Sequence, residues 1–126
     1  MNILEKYQSL IDQDKWEEAL PVIKEIVDRD QSIDTSWFNY GVCLDQTGNY
    51  NSAADAFIKA HELNVQDTGI HYRIFRSLFL ANDLDQLYEF SGYLCDTFEG
   101  SRESILGSDE YIELKKHKNF QELIEI

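Results

Sequence analysis

Basic residues are scarce in this chain. Lys and Arg total 11 against 24 Asp and Glu, a formal charge of −13. Such a balance argues against a nucleic-acid backbone or an anionic membrane as the main partner. Proline occurs once, as Pro21, and there are six glycines, so neither a collagen-like chain nor a flexible linker fits. The two cysteines, Cys43 and Cys95, lack the C-x-x-C spacing of a redox pair and are expected as buried thiols rather than a disulfide. No run approaches the roughly 18 apolar residues of a membrane span. The opening segment has no basic stretch followed by an apolar one, so no secretory signal is expected and the cytosol is the expected location. His61, His71 and His117 fall in separate places, and neither an H-x-x-x-H nor an H-E-x-x-H motif is present. No Gly-rich phosphate loop occurs either. No metal, no cofactor and no catalytic activity are therefore expected.

What the chain does have is an internal period. Hydrophobic residues make up 43% of the 126 positions, enough for a core, and they recur at an offset of 34. Leu10, Leu44 and Leu78 align, as do Trp16, Tyr50 and Leu84, and then Ile26, Ala60 and Leu94. Asp14, Gly48 and Asn82 mark one turn in each copy. A period of this length is the signature of stacked supersecondary units. The copies span about 1–33, 34–67 and 68–101 of a single repeat domain, with a tail over 102–126.

Each copy reads as two helices. In the middle one, Asp34 or Ser36 is placed to cap a helix whose stripe is Trp37, Tyr40, Gly41 and Leu44, at i, i+3, i+4 and i+7. Gly48 suits the left-handed position after that helix. Tyr50, Ala53, Ala54, Phe57 and Ile58 continue in a second helix. The small residues Gly41 and Ala53 are expected where the two helices come closest. In the first copy, Pro21 predicts a second helix that starts late or bends. In the tail, Asp109 is placed to cap a short helix, and Phe120, Leu123 and Ile124 form the apolar face of a last one. Together they would close the end of the array.

The middle copy resembles a tetratricopeptide repeat. Trp37, Tyr40-Gly41, Leu44, Gly48, Tyr50, Ala53, Phe57 and Ala60 stand at the family's signature places, and Val65 replaces its closing proline. The first copy keeps Leu10, Trp16 and Ala19, whereas the third keeps mainly apolar character. The resemblance implies an all-α fold: a right-handed superhelix of about three antiparallel helix pairs plus a short C-terminal helical cap. It also implies a non-enzymatic protein-binding role, with a concave face made by the first helix of each pair. One subset of the family clamps a C-terminal carboxylate. Its five places hold Leu4, Gln8, Asn39, Gly69 and Arg73 here, so both of the clamp's lysines are missing.

On these grounds the candidate binding residues are Gln8, Phe38, Asn39, Val42, Tyr72, Arg73 and Arg76. Between residues 31 and 99 the only bases are Lys59, Arg73 and Arg76, against ten acids. With Asn39 and Gln8, the two arginines suit a carboxylate-bearing peptide. The plainer alternative pairs them with Asp45, Asp67 or Asp83. Phe38, Val42, Tyr72 and Phe79 suit an apolar anchor, or alternatively belong to the core between repeats. The expected partner is a protein or peptide, basic or neutral overall. Three roles fit: an adaptor, a dedicated chaperone or neutralising partner of one cognate protein, or a self-associating structural protein.

Overall fold

The structure is a computed structural model that describes residues 2–66 and 68–97. The described residues are helical: α1 (Ile3–Asp12), α2 (Trp16–Arg29), α3 (Asp34–Gln46), α4 (Tyr50–Leu63), a 3-10 turn (Thr68–Ile70), α5 (His71–Leu80) and α6 (Leu84–Thr97). The expected tail helices around Asp109 and Phe120 lie outside the described residues. The backbone divides into two compact units, 1–66 and 67–126.

In the first unit α1 packs on α2, α2 on α3 and α3 on α4, as successive antiparallel pairs. Its core is built on Tyr7, Ala19, Val22, Ile23 and Cys43, flanked by Leu10, Trp16, Leu20 and Tyr40. Ala53, Ala54, Phe57 and Ala60 of α4 are buried as well. Full burial of a side chain such as Ile23 or Phe57 contributes about 2 kcal/mol. In the second unit α5 packs on α6, and Ile74, Phe75, Leu78 and Leu87 are fully buried.

The period is written in the backbone. Asp14, Gly48 and Asn82 all have positive φ, at 57°, 80° and 59°. The amides of Lys15, Asn49 and Asp83 each donate to the carbonyl five residues back, on Leu10, Leu44 and Leu78. The amides of Asp14, Gly48 and Asn82 donate to Ile11, Asp45 and Phe79. This pair of bonds around a left-handed residue is the Schellman ending, and it satisfies carbonyls the helix would otherwise leave open. Ala19, Ala53 and Leu87 then donate to Lys15, Asn49 and Asp83, starting each second helix the same way. Three copies of one turn, 34 residues apart, make the all-α fold a helical repeat.

Two local expectations are corrected. α2 does not start late at Pro21; it begins at Trp16 and runs through the proline. The missing N–H costs one ladder bond, and burial of Ala19, Val22 and Ile23 on either side of Pro21 holds the helix. Neither Asp34 nor Ser36 is the cap of α3: the N-cap is Ile33, which makes no side-chain cap bond. Asp34 lies in the first turn, where its carboxylate suits the helix N-terminus, and it accepts from the Asn64 side chain at 3.2 Å. Gly41 and Ala53 are both buried in the α3/α4 pair, and a side chain on Gly41 would meet the Phe57 ring of α4.

Candidate functional site

The first unit carries four of the candidate residues. Gln8 is exposed on α1, and its amide donates to Asp12 Oδ1 at 2.8 Å. One turn earlier, Leu4 is 61% exposed, an apolar side chain left in water. Phe38, Asn39 and Val42 are half-buried on α3. Phe38 packs a tilted ring on Phe57, with centroids 5.8 Å apart, so its inner edge belongs to the α3/α4 pair. Only the remaining part of the ring is presented outward. α3 is tied to α2 and to the turn that precedes it. The Cys43 thiol donates to the Trp16 carbonyl at 3.2 Å, and the Trp37 indole donates to the Gln31 carbonyl at 2.9 Å.

The second unit carries the other three. Tyr72 and Arg73 are exposed, and Arg76 is half-buried, one turn after Tyr72 on α5. Phe79, a further turn on, is also half-buried. His71, 34 residues after Trp37, is buried. α6 leaves Tyr88 and Tyr93 exposed, with Phe90 against Tyr93 at 5.7 Å.

Two titrating groups in the core of the first unit are shifted by burial. Burial pushes the Cys43 thiol from 9.0 up to about 11, with the nearby Glu17 carboxylate adding to the shift. Burial likewise raises the Tyr7 phenol to about 12, with Cys43 contributing. A thiol held neutral in this way is a poor nucleophile and metal ligand. Among the described residues no group of three or more His, Cys, Asp or Glu could hold a metal ion. No helix among them is long and apolar enough to cross a membrane.

One surface was not singled out from the sequence. An open cleft of about 380 Å³ is lined by Lys6 and Leu10 of α1 and by Glu18, Pro21, Val22 and Glu25 of α2. A signal for it was present. Lys6 stands 34 residues before Tyr40, so a cation occupies a place that is aromatic in the next copy. Neither the protein-family models nor the curated proteins compared with this chain give a match.

Proposed function

We propose that this chain is a non-enzymatic, cytoplasmic protein-binding scaffold of the tetratricopeptide type. In this reading its pairs wind into one right-handed array over the whole chain, capped by the tail. The first helix of each pair is the binding helix. The observation that carries it is the turn repeated at Asp14, Gly48 and Asn82 with the same backbone bonds. Stacked units of this kind spend their sequence on a modular frame and leave long helix faces for partners. On α1 and α3 those faces hold Leu4, Gln8, Asn39, Val42 and the outer edge of Phe38. On α5 they hold Tyr72, Arg73 and Arg76.

The partner in this reading is a peptide segment with an apolar anchor and one local carboxylate, in a protein basic or neutral overall. The field of a chain at −13 favours such a protein and slows the approach of acidic ones. The same charge favours the alternative of a dedicated partner for one basic protein.

Co-purification from native extract tests the reading. Several substoichiometric clients support an adaptor, one stoichiometric client a dedicated partner, and self-association alone the structural role. With the captured protein in hand, Arg73→Ala with Arg76→Ala is expected to weaken binding by about 1–3 kcal/mol in calorimetry. Unchanged affinity in a folded double variant removes the arginines from the site.

A further inference from the structure

A pair of packed helices has two flanks. On one flank of the α1/α2 pair lies α3. It packs on α2, and its Tyr40 and Cys43 join the core cluster of Tyr7, Ala19 and Ile23. The cleft lined by Lys6, Leu10, Glu18, Pro21, Val22 and Glu25 has no α3 residue in it. Its floor is apolar: Val22 is nearly buried and Leu10 is half-buried. Its rim is charged, with two carboxylates against one ammonium.

The rim charges are incompletely used. Glu25 accepts from Arg29 at 2.8 Å, but Lys6 and Glu18 have no ion-pair partner within 4.0 Å among the described residues. Glu18 and Glu25 are seven residues apart on α2, so they stand about two turns, roughly 10.5 Å, along one face. A cleft of this volume takes the apolar side chains of one helix face rather than a folded domain. The helix already seated on the pair, α3, shows the mode of docking: an apolar stripe laid along α2.

We infer that this outer cleft of the first helix pair is a docking site for an amphipathic helix of a partner protein, one that flanks its apolar stripe with two basic residues seven positions apart. The apolar stripe covers Leu10, Pro21 and Val22. The two basic residues meet Glu18 and Glu25, and an acid beside the stripe meets Lys6. The cleft shares α1 with the proposed scaffold face but none of its residues, Leu4 and Gln8 on α1 or those on α3 and α5, so single variants let the two fail separately.

The probe is a synthetic amphipathic helical peptide with a leucine stripe and two lysines seven apart, compared with the same peptide carrying glutamates there. Calorimetry on the full chain is expected to give at least tenfold tighter binding of the lysine peptide, with amide shifts confined to α1 and α2. Glu18→Gln with Glu25→Gln is expected to abolish that preference, and Lys6→Glu to strengthen it several-fold. Arg73→Ala with Arg76→Ala leaves it unchanged. Equal binding of the two peptides, a preference that survives the double glutamine variant, or shifts outside α1 and α2 overturns the inference. So does dimerisation of the chain alone, seen by sedimentation and lost in the same variants, because a second copy would then be the occupant.

Discussion

A methyl group at position 41 tests the packing of the middle pair. A Cβ built on Gly41 would lie 2.6 Å from Phe57 Cε1 and 2.7 Å from Cδ1. Carbon atoms in good contact stand about 3.5–4.0 Å apart, so roughly an ångström must be found. Phe57 is fully buried, and Phe38 lies against its ring at 5.8 Å. The ring has no solvent to swing into, so the strain passes to the α3/α4 spacing. Overpacking of this kind costs about 1–3 kcal/mol. Replacing a mid-helix glycine by alanine returns about 1 kcal/mol of helix propensity. Gly41→Ala is therefore expected to lose about 0–2 kcal/mol, and Gly41→Leu about 3 kcal/mol. Urea denaturation followed by far-UV circular dichroism measures both. The decisive comparison is in a Phe57→Leu background, which lacks Cε1 and Cζ. There the alanine is expected to be neutral or to stabilise by about 0.5 kcal/mol. A Gly41→Ala protein more stable than the parent, or one equally destabilised in both backgrounds, would show that the contact with the ring does not govern this position.

Asp14 and Asn82 hold left-handed backbone with a side chain, whereas Gly48 does so without one. Asp14→Gly and Asn82→Gly are each expected to raise stability by about 0.5 kcal/mol, and a β-branched residue at either place to lower it by more than 1 kcal/mol, roughly; denaturation midpoints check both. The buried thiol and phenol make the fold sensitive to alkali. Above pH 9.0 the unfolded chain loses the Cys43 proton while the folded chain keeps it to about 11, so stability is full below 9.0 and falls through this window. Tyr7 adds a loss from 10.0 to about 12. Midpoints measured across this pH range are expected to fall, less steeply in Cys43→Ala, and an identical slope in that variant refutes the assignment. Asp83 Oδ1 accepts from the Gln86 amide at 3.2 Å at the start of α6. Asp83→Ala is expected to cost about 1 kcal/mol in the same denaturation assay, and Asp83→Asn much less.

Much of the frame could be read from residue types because it depends on local rules. The stripe Tyr40, Gly41 and Leu44 and the alanines of α4 follow the helical period. The turn at Gly48 follows from the one residue that takes positive φ without cost. Its counterparts at Asp14 and Asn82 were legible only by their offset from it, and both adopt the same backbone. The buried place of His71 was likewise marked by its alignment with Trp37. The late start expected at Pro21 misled because a local penalty at one amide was weighed without the neighbouring side chains that bury beside it. Asp34 misled because residue type alone does not distinguish a cap from a first-turn acid.

The sequence by itself determined the helices, their turns and the 34-residue period, since each is set by neighbours within about one helical turn. Tertiary structure decided the rest. It put the Phe57 ring over Gly41, turned Phe38 partly inward, and buried Cys43 on the Trp16 carbonyl. It also left Lys6, Leu10, Glu18 and Val22 around an open cleft. These are matters of which helix lies against which. Close packing between helices sets them, and residues far apart in the chain supply the contacts.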